Sequence, residues 1–296
     1  MAFRIGWFST GRDPAARNLL QTVHEDIVRT GIPARIEWIF CHRETGDAPA
    51  DVEYRERELF FDMAAAFGIP VATLSHVKFM PELRKRGLFE SPSAAEPSPA
   101  LQRWRNLYGE EVVRTVKMLQ PVDIIVMAGY MLIIGEPELH ALDMVNIHPA
   151  LPWGPRGTWQ EVIHELIGEN ASEQGIMVHL VTETLDRGPV ISYCRFPIRG
   201  EGWDDLWVQW ARDIEADSPR QMRESHPLFR KIRAVGEVRE LPLLRGAIRE
   251  LAFGHLVVRD KKIVSGGKVL EQGVDLTEAI EKIVADEAGK NEASGV

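Results

Sequence analysis

The sequence predicts an α/β fold, with a doubly wound, mostly parallel sheet and a small C-terminal α+β extension. Segments of strand character alternate with segments of helical periodicity from Phe3 to Phe196. This alternation is typical of a parallel sheet that is covered by helices on both faces. Beyond about residue 225 the alternation ends and the composition becomes basic, which indicates an added C-terminal segment.

The amino-terminal elements follow from local signals. Phe3–Phe8 has strand character and opens directly into the turn Ser9–Pro14. In this turn, Asp13 and Pro14 suit the N-cap and the first position of a helix. The apolar residues that then recur at helical spacing are Leu19, Leu20, Val23 and Ile27. The elements predicted next are a strand at Arg35–Cys41, a helix around Leu59–Phe67, a strand at Pro70–Leu74, a helix at about Trp104–Leu119 and a strand at Val122–Met127.

A loop inserted in the fold is predicted at about residues 87–100, which are rich in Ser, Pro and Ala. Later in the chain, the pattern predicts a helix from about Thr158 to Ile167 and strands at Met177–Val181 and Pro189–Phe196. Residues 1–225 are therefore expected to form one domain.

Residues 226–286 are predicted to form a basic extension with a hairpin and a helix. From His226 to Leu270 there are ten Lys/Arg and four Asp/Glu residues, a surplus of six positive charges. Leu256–Val264 has the pattern of a hairpin that turns at Asp260-Lys261, and Asp275 to Glu278 resembles a capping box that opens a helix to about Ala285. Residues 287–296 are expected to be a flexible tail.

Composition and charge restrict the class of protein. The hydrophobic fraction of 45% and the charged fraction of 27% are ordinary for a globular protein. A net charge of −9 argues against nucleic acid or an anionic membrane as a partner. The longest apolar run, Ile124–Ile134, has 11 residues and is too short to span a bilayer. The two cysteines, Cys41 and Cys194, lie in strand-like surroundings, and we expect no disulfide between them. The amino terminus lacks the basic, apolar and small-residue order of a signal peptide, so we expect a cytoplasmic protein.

The strongest functional signal is the pair Asn146 and His148 at the end of an apolar run. Residues two apart in a strand point to the same side, so the carboxamide and the imidazole would project together. Pro149 favours this extended geometry at His148. Two adjacent donors suit an oxygen that gains negative charge during a reaction. Asp186, 38 residues after His148, could supply the charge that keeps the imidazole protonated.

These residue types together predict an acyl-transfer site. Asn146 can stabilise an oxyanion without titrating, and a protonated His148 can donate to the same oxygen and relay a proton. Asp186 can raise the pKa of the histidine or hold a water that moves protons. Taken without the surrounding sequence, a strand-end turn with a hydrogen-bonded histidine is the alternative.

The sequence around these residues resembles the folate-dependent formyltransferase family, and within it the enzymes of purine synthesis. The similarity extends over about residues 3–215, and the stretches that carry it are Met127–Met131, Asn146–Pro152, Gly175–Thr182 and Leu185–Ile191. It implies a formyltransferase fold, with residues 1–225 as the catalytic domain. It also implies that a formyl group moves from 10-formyltetrahydrofolate, a cosubstrate, to a primary amine, first of all that of glycinamide ribonucleotide, without a metal.

The resemblance assigns roles to individual residues. Asn146, His148 and Asp186 would be the catalytic residues. The residues expected around the folate are Met131, Leu132, Ile134, Thr182 and Leu185. The residues expected on the side of a phosphorylated acceptor are Gly11, Arg12, Asp13, Arg105 and His179.

The first strand-to-helix turn departs from the family pattern. In the family this turn is rich in glycine, and its amides bind the acceptor's phosphate. Here Gly11 is followed by Arg12, which should attract a phosphate, and by Asp13, which should repel it. A capped helix start without a ligand is therefore the alternative to an anion site. Leu151–Gly157 is also shorter than the family's loop, and Leu132 stands where the family often has an arginine.

Two other functional hypotheses stay open. One keeps formyl transfer but changes the acceptor to an aminoacyl-tRNA, a sugar nucleotide amine or water. The basic extension favours tRNA, whereas its short length and the acidic chain disfavour it. The other is a folate-binding protein that has lost catalysis. Folate and an amine are the expected partners, neither nucleic acid nor a membrane is expected, and a homodimer is left open.

Overall fold

The computed structural model describes residues 2–47, 52–93, 96–215 and 218–294. The chain forms two compact units, Met1–Asn146 and Ile147–Val296. In the ranges described, the structure contains no helix that combines the length and the apolar character needed to cross a membrane. Cys41 and Cys194 are both buried and free.

The first unit is built on parallel strands. Its strands are β1 (Phe3–Ser9), β2 (Ala34–Cys41), β3 (Val71–Thr73), β4 (Ile124–Met127) and β5 (Met144–His148), whose last two residues enter the second unit. β1 pairs in parallel with both β2 and β4, β2 pairs with β3, and β4 pairs with β5. In the order β5-β4-β1-β2-β3, the chain adds β2 and β3 on one side of β1 and then β4 and β5 on the other side, which makes a topological switch point between β1 and β4. Crevices at such a switch point are where open α/β sheets usually bind ligands.

Helices connect these strands, as the alternating pattern predicts. They are α1 (Pro14–Thr30), α2 (Val52–Ala66), α3 (Pro81–Glu90), α4 (Pro99–Lys117) and α5 (Glu136–Ala141). Asp13 is the N-cap of α1, and its carboxylate accepts a hydrogen bond from the backbone N–H of Ala16 at 2.8 Å, which confirms the predicted cap. Large side chains of the central strands are fully buried, among them Trp7, Phe8 and Phe40.

The predicted loop at 87–100 is wrong at both of its ends. α3 continues to Glu90 and α4 begins at Pro99, while residues 94 and 95 lie outside the described part of the chain. Gly87, which in a sequence favours a loop, is needed because of packing. A Cβ atom at this position would lie 2.6 Å from the backbone of Leu101, so the glycine lets α3 approach α4 closely.

The second unit combines antiparallel strands with a long helix. Its elements are α6 (Trp159–Gly168), β6 (Glu173–Leu180), β7 (Val190–Pro197), α7 (Asp204–Asp213), α8 (Arg220–Ser225), α9 (Pro227–Ala252), β8 (Val257–Arg259), β9 (Lys262–Ser265), β10 (Lys268–Val269), β11 (Val274–Asp275) and α10 (Thr277–Ser294). β6 pairs antiparallel with β7, which pairs in parallel with β11. β8, β9 and β10 form a separate antiparallel sheet.

The C-terminal elements bear out part of the prediction. β8 and β9 form the predicted hairpin, in which Asp260 and Lys261 both have positive φ, as a two-residue type I′ turn requires. The predicted helix begins at Thr277, but it continues to Ser294, so the expected tail is wrong over residues 287–294. Residues 295 and 296 lie outside the described residues. The domain boundary after residue 225, which falls between α8 and α9, stays a prediction.

Candidate active site

Asn146 and His148 lie on one strand, β5, as the sequence predicts. They are two residues apart, and alternate residues of a strand share a face. Asn146 is half-buried, whereas only 2% of the His148 surface is exposed. The strand therefore places a carboxamide and an imidazole on the same side of its carboxyl end.

The two ring nitrogens of His148 have different partners. Nε2 lies 2.9 Å from the carbonyl oxygen of Pro155. Because a carbonyl only accepts, Nε2 must carry a hydrogen. Nδ1 faces the carboxylate of Asp186, 3.5 Å from its Oδ2 atom. In the neutral ring, Nδ1 thus keeps its lone pair on the side of Asp186.

His179, on β6, faces the same carboxylate from a second direction. Its Nδ1 donates to the carbonyl oxygen of Leu180 at 2.8 Å, so the lone pair of the neutral ring is on Nε2. Nε2 lies 3.7 Å from Oδ1 of Asp186 and has no hydrogen-bond partner among the described residues. The rings of His148 and His179 are nearly perpendicular, with centroids 6.4 Å apart.

Asp186 is held in place by backbone geometry. Its φ of +52° is unusual for a residue with a side chain, although Asp tolerates it better than most residues. The backbone N–H of Gly157 donates to its Oδ2 atom at 3.1 Å. With only 6% of its surface exposed, Asp186 is a buried carboxylate between two imidazoles. We call Asp186, His148 and His179 the carboxylate–imidazole cluster.

Arg187 fixes the loop that follows β5. Its guanidinium donates to the carbonyl oxygens of Gly154 at 2.6 Å and Pro152 at 3.5 Å. It also donates to the carbonyl oxygen of Asp186 at 3.2 Å. Arg187 thereby links the turn that contains Asp186 to the loop that contains Pro155, whose carbonyl oxygen orients His148. Sequence reasoning missed this role, although the position of Arg187 next to Asp186 was a signal for it.

Burial decides the protonation of the two histidines. Desolvation lowers the pKa of His148, and it outweighs the nearby Asp186 charge and the Pro155 hydrogen bond, which both raise it. Desolvation likewise lowers the pKa of His179 against the Leu180 hydrogen bond and Asp186. The expectation that Asp186 keeps His148 protonated is therefore wrong. The Asp186 carboxylate does raise the pKa of His148, but burial lowers it by more.

A cleft of about 460 Å³ opens beside Asp186. This volume is in the range of small-molecule sites. Its walls come from the Asp186 turn, β6, β7 and the small C-terminal sheet. The residues that line it are Pro152, Met177, Asp186, Arg187, Gly188, Pro189, Val190, Lys262, Ile263, Val269, Leu270 and Glu271. Asp186 is thus the member of the cluster that borders this cleft, and the C-terminal extension contributes to the walls.

The first turn of the other unit brings Gly11, Arg12 and Asp13 together. Gly11 has a φ of +63°, which favours glycine. The Arg12 guanidinium pairs with the carboxylates of Asp13 at 3.5 Å and Glu53 at 3.9 Å. Arg105 lies on α4, where burial lowers its pKa. The structure thus places acids beside the arginine that was expected to attract a phosphate.

The residues expected around the folate lie in two segments. Met131, Leu132 and Ile134 follow β4, and Met131 is 57% exposed. Thr182 and Leu185 precede Asp186 in the second unit, where Leu185 is 54% exposed. Exposed apolar side chains are common at surfaces that bind flat ligands. Within the described ranges, no group of three or more His, Cys, Asp or Glu side chains could hold a metal ion.

The segment that contains this arrangement is similar to a known family. Residues 60–205 match the family model described as formyl transferase. We call residues 60–205 the formyl transferase segment, after the family that they resemble. It includes the carboxylate–imidazole cluster, whereas the first turn precedes it and the C-terminal extension follows it.

Curated formyl transferases show the same relationship. The chain is 32% identical over 105 residues to phosphoribosylglycinamide formyltransferase of Escherichia coli K12, which is 34% of this chain and 48% of that protein. It is 31% identical over 103 residues to the Dictyostelium discoideum protein of the same name, 32% of this chain and 50% of that protein. The chain thus spans about half the length of these relatives.

Solved formyl transferase structures share the fold. Phosphoribosylglycinamide formyltransferase of Coxiella burnetii superimposes with a TM-score of 0.53 at 19% identity, covering 93% of this chain and 99% of that one. Glycinamide ribonucleotide transformylase 1 of Symbiobacterium toebii gives 0.51 at 21% identity, covering 89% and 94%. The predicted fold class, a mostly parallel sheet flanked by helices with extra C-terminal elements, is confirmed.

We expect Gly188→Ala to disrupt the turn that contains Asp186. A Cβ atom at Gly188 would lie 1.8 Å from the carbonyl oxygen of Leu180, so β6 and the turn would have to separate. The free energy of unfolding should fall by about 2–3 kcal/mol in chemical denaturation, the upper range for overpacking. Gly168→Ala is the control, since a Cβ there meets nothing within 4 Å. Equal stability of the two variants would contradict the assigned role of Gly188.

Proposed function

We propose that this protein transfers a formyl group from 10-formyltetrahydrofolate to a primary amine. The observation that carries the proposal is the buried Asp186 carboxylate between His148 and His179, inside the formyl transferase segment. Formyl transfer requires a group that takes a proton from the amine and a donor for the oxygen that becomes negative. Asn146 and His148, at the carboxyl end of β5, are the proposed groups of these two kinds.

His148 is the proposed general base. Its neutral ring carries the hydrogen on Nε2, held by Pro155, and the lone pair on Nδ1. When Nδ1 takes the proton that the amine loses, the imidazolium forms 3.5 Å from the Asp186 carboxylate, which stabilises the new charge. The same proton can then be given to the nitrogen that leaves. His179 is proposed to support the cluster by sharing the carboxylate.

Asn146 is the proposed donor to the developing oxyanion. Its carboxamide shares a strand face with His148 and donates without changing its protonation state. The bond from the amine nitrogen to the formyl carbon forms as the oxygen gains charge, and the bond from that carbon to the folate nitrogen then breaks. 10-Formyltetrahydrofolate supplies the formyl group and leaves as tetrahydrofolate.

The folate side is proposed from exposure and family resemblance. We assign the folate contacts to Met131, Leu132, Ile134, Thr182 and Leu185. Met131 and Leu185 are exposed by more than half, which suits packing against an apolar ring system.

The acceptor to assay first is glycinamide ribonucleotide, the molecule that the relatives' names specify. With it, the protein would act in purine biosynthesis. Arg12, Gly11, Asp13, Arg105 and His179 are the proposed acceptor-side residues. The acids beside Arg12 favour a second candidate function, formyl transfer to a different amine.

Asn146→Ala and His148→Ala should each lower the transfer rate by roughly 10²–10³, the usual loss for an oxyanion donor or an acid–base group. Folate affinity should change little, because neither side chain is proposed to hold the folate. Formation of tetrahydrofolate with an amine panel and folate binding by fluorescence are the measurements. His255→Ala is the control, since His255 also pairs with a carboxylate, that of Glu250 at 3.1 Å, but is exposed.

Full activity in either variant would reject the proposed chemistry. Folate binding without turnover by the wild type, across the amine panel, would instead favour the hypothesis of a folate-binding protein that has lost catalysis.

The pH profile should report on the neutral His148. Activity requires the unprotonated ring, so kcat/KM should rise with pH through an apparent pKa below the ordinary histidine value of about 6.5. Asp186→Asn removes the charge that raises this pKa, so the acidic limb should move to still lower pH while the plateau falls. Rate measurements between about pH 4.5 and 8 test this. An acidic limb that moves to higher pH in Asp186→Asn would contradict the role of the carboxylate.

A further inference from the structure

The turn between β1 and α1 lies where a parallel α/β sheet usually offers an anion site. It follows the carboxyl end of β1, next to the switch point between β1 and β4. A helix N-terminus at such a place attracts phosphate through its amides and its dipole. A phosphorylated acceptor would be expected to use these groups if they were available.

Several of these amides already donate within the protein. The Thr10 N–H donates to the carbonyl oxygen of Gly129 at 3.1 Å, and the Gly11 N–H donates to Oγ of Ser9 at 3.2 Å. Pro14 has no N–H. The Ala16 N–H donates to the Asp13 carboxylate at 2.8 Å. The negatively charged carboxylate of Asp13 therefore occupies the position at the start of α1 that an external anion would take.

The cations of the turn are also matched by acids. Arg12 pairs with Asp13 at 3.5 Å and with Glu53 at 3.9 Å. Arg17, on the first turn of α1, pairs with Glu56 at 2.7 Å. A phosphate at this turn would have to compete with these carboxylates for both arginines.

The histidines near the turn add no positive charge. His42 Nε2 lies 2.6 Å from Oγ1 of Thr10, and its Nδ1 lies 2.9 Å from Nδ1 of His76. Two nitrogens at this distance can hold only one hydrogen between them. Burial lowers the pKa of both rings, that of His76 to about 4, so the pair is neutral near neutral pH.

We infer that Asp13 is a specificity-determining residue that excludes phosphate from the first turn, and that the acceptor is an amine without a phosphate at this position. A hydroxyl-bearing amine, such as a ribonucleoside or sugar amine, fits a turn whose charges are balanced. This inference rests on the proposed formyl transfer and narrows its acceptor. It sets the chain apart from relatives whose names specify a phosphorylated amine.

The test uses two molecules that differ only in the phosphate, glycinamide ribonucleotide and its 5′-dephosphorylated nucleoside. Their binding to the wild type and to Asp13→Asn is measured by calorimetry, and formyl transfer is assayed in parallel. Asparagine is as good an N-cap as aspartate, so α1 keeps its cap. Asp62→Asn, which removes an exposed charge further along α2, is the matched control.

The wild type should bind the nucleoside at least as tightly as the nucleotide. Asp13→Asn should bind the nucleotide roughly tenfold more tightly than the wild type does, the effect of removing one nearby like charge, and should bind the nucleoside within about twofold of the wild type. Asp62→Asn should change neither. Raising the salt concentration should reduce the gain in Asp13→Asn.

A wild-type preference for the nucleotide above about threefold, or an Asp13→Asn variant that gains no affinity for it, would overturn the inference. These binding results stand apart from the transfer assay. Failure of formyl transfer to every amine would reject the proposed function, whereas transfer that depends strongly on the phosphate would retain the transferase and reject the role of Asp13.

Discussion

A single buried carboxylate between two imidazoles organises the candidate active site. Asp186 has Oδ2 at 3.5 Å from Nδ1 of His148 and Oδ1 at 3.7 Å from Nε2 of His179. A backbone carbonyl fixes the hydrogen on the far nitrogen of each ring, so both rings present lone pairs to the carboxylate when neutral. The cluster is therefore poised to accept a proton, and the charge that would result is already balanced by Asp186.

Burial and charge act against each other in this cluster. Desolvation lowers the pKa of both histidines, and Asp186 raises it. A base that is neutral near neutral pH can take a proton from an amine, whereas a permanently charged imidazolium could not. The Arg187 hydrogen bonds and the close contact at Gly188 hold the turn that keeps this balance. Stability of the turn and chemistry of the cluster thus depend on the same few contacts.

The sequence predicts the fold and the chemical groups better than it predicts their environment. Alternating strands and helices, the Asp13 cap and the Asp260-Lys261 turn are local signals, and the structure confirms them. The loop predicted from residue 87 was wrong at its start because Gly87 belongs to α3 and packs against α4, which the local sequence does not show. The pKa of His148 was misjudged for a similar reason. Its partner Asp186 is visible in the sequence, but the burial that outweighs it comes from the folded chain.

The family resemblance supports the proposed transfer chemistry more strongly than it supports the identity of the acceptor. The formyl transferase segment, residues 60–205, includes the carboxylate–imidazole cluster. The first turn and the C-terminal helix α10 lie outside this segment. They differ from expectation, the turn in the acids beside Arg12 and the helix in its length. The proposed chemistry therefore rests on residues inside the matched segment, whereas the acceptor has to be inferred from contacts outside it.

Nitrogen-15 NMR of the histidine rings tests the central claim most directly. At about pH 7.5, the account predicts opposite neutral tautomers, with the hydrogen on Nε2 of His148 and on Nδ1 of His179. Both rings should titrate below the ordinary histidine pKa, and both titrations should move lower in Asp186→Asn. A His148 that is doubly protonated at neutral pH, or that titrates identically with and without the Asp186 charge, would contradict the account.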